Sequence, residues 1–373
     1  MTSDIETPPG AGGTFRFTET KGPNGGPGRT ISFADVDIQP RSYTELVGAS
    51  PNLPVTIPLD MYNGQVLHTD FDGVSPGEMV HINTTLQSRF TSRAIGLVKG
   101  GWMPSALATI KSNSIILIDR NVMTEIVSRF EGGVKKGREP DFLDLFEDSQ
   151  IRINPLLCAL EGNSRRIPDP SEARAQIDET VSKLRRALPK AEIVVGAKSL
   201  EGVLGLIEDT RASFGRKNAM LLELAPALCA PTSRKRVAAC IASVMEAADR
   251  FDVPRKSLLV FAIASSIAVP NGRSPAFTLL NLRPGYSRKD AYNALSDLRS
   301  LEILIHIFAL FPRETVQLCT ADRDLALLWC GIQASDFQVI GRGVAFDITP
   351  VEALLPRGAL EVWLSAVSTD PIS

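Results

Sequence analysis

Ser114-Ile115-Ile116-Leu117-Ile118-Asp119 is an unbroken apolar run that ends in an acid. An apolar run without alternation is what a strand covered on both faces requires, and in α/β sheets the carboxyl end of such a strand is where sites are built. Residues 121–130 follow with Val122, Ile126 and Phe130 on one stripe, which predicts a helix directly behind the strand. The pattern recurs downstream: Val316-Gln317-Leu318-Cys319-Thr320 leads into Ala321-Asp322-Arg323-Asp324 and a helical stretch at 325–330.

Between these two lies Ile151-Arg152-Ile153, a further strand, then Pro155 at the first turn of an apolar helix that ends at Glu161. A short helix is predicted at 142–146. A long helix is predicted over 288–311, with Leu298, Leu301, Leu304, Ile305 and Phe308 on its apolar face and Asp297 near its middle. Strands near 337–340 and 345–348 close the unit. Alternating strands and helices define a three-layer α/β domain.

The flanking sequence reads differently. Residues 1–30 are rich in Gly, Pro, Thr and Ser and read as a disordered leader. Residues 31–105 alternate briefly between prolines and glycines, the pattern of a small strand-bearing or irregular N-terminal extension. Residues 166–287 are mainly helical, a large insertion in which 192–196 fits a strand or a loop, and 356–373 reads as a C-terminal tail. The α/β domain itself spans 106–355.

At 373 residues, 44% of them hydrophobic, the chain can build a sizeable core. No apolar run reaches a membrane span, and Asp4 and Glu6 stand where a secretory signal would be basic; the expectation is a cytoplasmic protein without membrane contact. Five scattered cysteines, Cys158, Cys229, Cys240, Cys319 and Cys330, read as reduced core residues. With three histidines, His68, His81 and His306, imidazole and thiolate ligands are too few for zinc or haem, so a bound metal would be a hard one held by oxygen. A net charge of -2 neither requires nor forbids nucleic acid, because a phosphate-binding surface can be local. The basic pairs and triplet at Lys135-Lys136, Arg165-Arg166, Arg185-Arg186 and Arg234-Lys235-Arg236 read as solvated helix faces.

Four acids carry the chemistry: Asp119 and Asp322 at strand ends, Glu161 and Asp297 on helices. Unit charges about 4 Å apart repel by roughly 4 kcal/mol at an effective dielectric of ~20, so a cluster of four needs a cation or shared protons. Each strand-end acid also suits a helix cap, Asp119 for the helix starting near Asn121 and Asp322 for the one near Asp324.

These residues resemble the PIN-domain ribonucleases. Residues 115–126, with Asp119 and Asn121, look like that family's opening strand and first acid, and 151–161 is similar to its second strand and glutamate-bearing helix. Asn293-Ala294-Leu295-Ser296-Asp297 resembles the segment of the third acid, Thr320-Ala321-Asp322-Arg323-Asp324 the strand-end Thr-x-Asp-x-Asp, and Thr349-Pro350 the ending. The resemblance covers 106–165 and 288–355; it accounts for neither the insertion nor the N-terminal extension. Asp290 and Glu302 compete with Asp297 for the third acid, and Asp297 is favoured because it shares a face with Asn293 and Leu301.

The resemblance implies a PIN-like domain with a short central parallel sheet that hydrolyses RNA phosphodiesters. Mg2+ or Mn2+ would be held by Asp119, Glu161, Asp297 and Asp322, with Asp324 a further ligand or an orienter of water. Thr320 and Asn121 would support the ligands, and Arg165, Arg166 and Arg323 are the nearest donors for substrate phosphates. The chemistry is independently reasonable, since a hard cation can activate water and neutralise a leaving oxygen. An inhibitory or regulatory protein partner and the oligomeric state are left open.

Two other classes compete. A haloacid-dehalogenase-type phosphatase would need an acid where Asn121 stands, and a lysine before the final acids. A catalytically inactive PIN-like scaffold would bind RNA or protein without cutting. No Gly-x-x-x-x-Gly-Lys-(Ser/Thr) loop is present, and His306 lies in an apolar helix rather than in a Ser/His/Asp arrangement.

Overall fold

The computed structural model describes residues 2–6, 14–19, 26, 28–107, 111, 113–134, 138–147, 150–161, 166–195, 197–269, 274–341 and 343–368. The chain forms two compact units, the first from 1–155, 179–194 and 313–321 and the second from 156–178, 195–312 and 322–373. Both strands and helices are well represented, so the protein is of mixed α/β class.

The first unit holds two sheets. One is antiparallel throughout and comprises β1 (Thr2–Glu6), β2 (Thr14–Thr18), β3 (Thr30–Ala34), β4 (Asp37–Ile38), β5 (Thr56–Thr69) and β6 (Met79–Gln87), with helix α1 (Tyr43–Gly48) between β4 and β5. Ile57, Leu59 and Met61 of β5 are buried in alternation with more exposed neighbours, as a strand with one covered face demands. Phe15, Phe17 and Phe33 stack with ring centroids 5.6–6.2 Å apart. The expected leader therefore contains two strands. β1 carries a single apolar residue, Ile5, and the alternation of β2 is only five residues long and set among Gly and Pro, which masks both in the sequence.

The second sheet positions the candidate site. It contains the hairpin β7 (Ile95–Val98) and β8 (Gly101–Pro104), then β9 (Ile115–Ile118), β10 (Arg152–Asn154), β11 (Glu192–Ile193) and β12 (Val316–Thr320), in the order β11-β10-β9-β12-β7-β8. The first four are parallel and β7 runs antiparallel to β12. In chain order the parallel strands read third, second, first, fourth, so the direction of growth reverses between β9 and β12. That reversal is a topological switch point, the position at which open α/β sheets build ligand sites. Helix α2 (Arg120–Arg129) follows β9 at once and buries Val122 and Ile126, with Phe130 just past its end. At its last turn the buried Arg129 donates to Asp144 at 2.7 Å, on a 3-10 turn at Phe142–Phe146 that Asp141 caps.

The strand at 192–193 resolves the open reading of that segment. It pairs in parallel with β10 and so belongs to the parallel sheet.

The second unit gathers α3 (Leu156–Glu161), α5 (Ala197–Leu228), α6 (Val237–Arg250), α7 (Leu258–Ala268), α8 (Pro275–Leu279), α9 (Arg288–Leu310), α10 (Arg323–Ile332) and α11 (Arg357–Ser368); α4 (Pro170–Ala187) contributes residues to both units. Helix α7 is apolar nearly all round and correspondingly buried. The predicted apolar face of α9 is buried from Leu298 to Phe308. The predicted closing strands are β13 (Ala334–Ile340) and β14 (Gly343–Ile348), but they pair with each other in a two-stranded hairpin rather than extending the parallel sheet. Residues 352–354 make a turn.

The expected tail is helix α11. Its Trp363 meets Phe261 edge-on, with centroids 5.6 Å apart, and Arg255 donates to the Ala366 carbonyl at 2.9 Å. Among the described residues, no helix is long and apolar enough to cross a membrane. Among the described residues no cysteine forms a disulfide; Cys158, Cys319 and Cys330 are buried as expected, whereas Cys229 and Cys240 are half-buried.

Candidate active site at the strand ends

In the first unit the site is built from the ends of β9 and β12. The backbone N–H of Asp119 donates to the Cys319 carbonyl at 3.3 Å, tying the end of one strand to its neighbour. Asp119 and Thr320 are both buried at this junction. The Asp119 carboxylate accepts from the Val122 backbone N–H at 2.7 Å and so caps α2. That N–H and the positive end of the helix dipole favour a charged carboxylate there. Burial, followed by the charge of Asp119, pushes the Cys319 thiol well above its ordinary range, which keeps it protonated. Asn121 is exposed on the first turn of α2.

In the second unit, Asp322 caps α10 by accepting from the Leu325 N–H at 2.9 Å. Asp324 lies in the same first turn. Its carboxyl is raised above the usual range by burial first and by the charge of Asp322 second, with Arg323 opposing in part. A half-buried carboxyl whose charge is disfavoured by burial and by a neighbouring acid is a recurrent mark of functional sites.

The cap alternatives for Asp119 and Asp322 are thus realised in the geometry. A cap engages one oxygen of a carboxylate that offers about four acceptor positions, so it leaves coordination chemically compatible with the same side chain.

Glu161 ends α3, and Asp297 stands half-buried on α9. The Tyr292 hydroxyl joins the two helices, lying 2.5 Å from the Glu161 carbonyl and 2.9 Å from that of Arg166. The rivals for the third acid are engaged elsewhere. Asp290 completes a capping box with Ser287 and also accepts from Asn281 and Arg283, while Glu302 pairs with Lys217. The Ser287-x-x-Asp290 pattern before an apolar run is a capping signature legible in the sequence. The role of Tyr292 carries no such signal.

Of the phosphate donors, Arg165 lies outside the described residues, as do Lys135 and Lys136. Arg166 is exposed and paired with Glu172, and Arg323 is half-buried at the start of α10. Arg185, Arg186, Arg234, Lys235 and Arg236 are exposed, the solvated faces that the sequence predicts.

Asp119, Asn121 and Thr320 belong to the first unit; Glu161, Asp297, Asp322, Arg323 and Asp324 belong to the second. Among the described residues, no three His, Cys, Asp or Glu side chains gather in a group able to hold a metal ion. The donor chemistry of carboxylates with an amide and a hydroxyl suits a hard cation such as Mg2+ or Mn2+. No protein-family model matches this chain, and neither a curated protein nor a solved structure does so.

Proposed function

We propose that this protein is a PIN-like ribonuclease that hydrolyses RNA phosphodiester bonds with Mg2+ or Mn2+. The observation that carries the reading is the buried acid at the switch point of the parallel sheet. Asp119 closes the first of the parallel strands in chain order, and the neighbouring strand ends in Thr320 and continues into Asp322 and Asp324. In open α/β sheets that position is the one from which ligand sites are built.

Asp119, Glu161, Asp297 and Asp322 would hold the cation, which supplies charge neutralisation at the phosphate when bound. Asp324, whose proton affinity is raised, suits the task of orienting or deprotonating water. Thr320 and Asn121 would support the carboxylates, and Arg323 is the donor best placed in sequence for a substrate phosphate.

A second reading draws on the caps. Asp119 and Asp322 both hold helix N-termini, a structural duty sufficient to explain them, and this favours a PIN-like scaffold that binds RNA or protein without cutting. Cleavage of a mixed pool of labelled RNA oligonucleotides in Mn2+ separates the two. The nuclease reading predicts products from the wild type and none from Asp119→Asn or Asp322→Asn. Absence of cleavage by the wild type, or equal cleavage by all three, overturns it and leaves the scaffold.

A further inference from the structure

Among the described residues, Arg299 is a buried cation without an ion-pair partner. It lies on α9 with 6% of its surface exposed, among Leu295, Leu298 and Leu301. Its Nη2 donates to the Thr210 hydroxyl at 2.6 Å and weakly to the Leu206 carbonyl at 3.5 Å. Its Nε is buried and, among the described residues, donates to nothing. Glu302, one turn further along α9, is paired with Lys217, so that pair is already neutral. The Phe214 ring centroid is 6.0 Å from the guanidinium carbon, a contact too distant to replace a counter-charge.

Buried charges are normally paired and buried donors normally satisfied, because isolating either from water is costly. Arg299 departs from both rules beside a cleft. The cleft lies among α5, α7 and α9 wholly within the second unit, and its walls include Thr210, Ser213, Phe214, Lys217, Arg299 and Glu302. The Thr210 hydroxyl is committed, donating to the Leu206 carbonyl while it accepts from Arg299, which leaves a guanidinium with an unused donor, the Ser213 hydroxyl and the Lys217 ammonium, paired with Glu302, as the groups that could meet a tetrahedral oxyanion. The space admitting water-sized atoms is about 40 Å3, which fits a small anion and not a nucleotide.

We infer that this cleft is a binding site for a small oxyanion of the phosphate class, with Arg299 as its counter-charge, oriented by Thr210, and Ser213 as the hydroxyl partner. The site shares no residue with the strand-end acids and does not depend on the nuclease reading. Burial lowers the proton affinity of Arg299, opposed in part by Tyr292 and Glu302 and reinforced last by Arg211.

The test is titration of the full chain with inorganic phosphate in EDTA at constant ionic strength, chloride being the balancing anion, read by calorimetry and by thermal unfolding. The wild type should bind phosphate saturably and melt at a higher temperature in it. Arg299→Gln should weaken that binding at least tenfold. If Arg299→Gln does not fold, Ser213→Asp decides: a carboxylate supplied within the cleft should abolish the phosphate response and raise the melting temperature in chloride. Asp119→Asn should respond as the wild type does. No saturable binding by the wild type, or an undiminished response in Ser213→Asp, overturns the inference.

Discussion

The Asp119 backbone N–H donates to the Cys319 carbonyl at 3.3 Å, so the acid that ends β9 is fastened to the penultimate residue of β12. This bond fixes the carboxylate at the point where the parallel sheet reverses its direction of growth. It also makes Asp119 serve two purposes, capping α2 and presenting charge beyond the strand ends.

Those purposes separate by substitution. Asparagine caps nearly as well as aspartate, whereas alanine does not cap, so Asp119→Ala should lose about 1 kcal/mol of stability and Asp119→Asn much less. RNA cleavage should be lost in both. Urea denaturation alongside the cleavage assay checks this, and cleavage that tracks stability rather than carboxylate charge would assign Asp119 to capping alone.

Asp324 yields a pH prediction. Its carboxyl is raised in the folded protein by burial and by Asp322, so between its ordinary and its folded pKa the native state binds more protons than the unfolded chain. Stability therefore falls as pH rises through that window. Asp324→Asn should be more stable than the wild type at neutral pH, and the advantage should vanish on acidification below the ordinary aspartate range. Thermal melts from acidic to neutral pH read this directly; an advantage that grows on acidification would contradict it.

Arg129 and Asp144 form a buried pair, with side chains 1% and 4% exposed. Asp144→Asn leaves an arginine buried without its main partner and should cost about 3–5 kcal/mol, measured by chemical denaturation. A loss below ~1 kcal/mol would show that Glu125 and the Glu139 carbonyl, which Arg129 also reaches, suffice to hold it.

Gly101 adopts φ +157°, and a Cβ there would lie 2.2 Å from the Arg41 carbonyl, where Arg41 and Trp102 exchange backbone hydrogen bonds. Gly101→Ala should cost about 1–3 kcal/mol by forcing that bridge apart. Its melting temperature should fall by several degrees, and an unchanged one would show that the β7-β8 hairpin shifts freely.

The parallel strands are legible because covered strands leave unbroken apolar runs: Ile115 to Ile118 and Val316 to Cys319 need no alternation to be recognised. Helix α9 declares itself by the spacing of Leu298, Leu301, Leu304, Ile305 and Phe308. By contrast β11 is two residues long and has no periodicity to read. Helix α11 follows Pro356, and its buried Ala359, Trp363 and Val367 recur every four residues, a stripe too short to stand out from a tail. The strand-end acids are ambiguous for a physical reason: a helix cap and a ligand at a strand's carboxyl end ask for the same residue in the same place. Arg299 escapes a reading of the sequence because a lone arginine on an apolar face looks like a solvated neighbour until the helices around it are known.

The account rests on the carboxylates holding a divalent cation. Calorimetric titration of the full-length wild type and Asp119→Asn with Mn2+ tests this most directly. The account predicts saturable binding by the wild type and at least tenfold weaker binding by Asp119→Asn; an absence of Mn2+ binding by the wild type, or equal affinity in both, would contradict it.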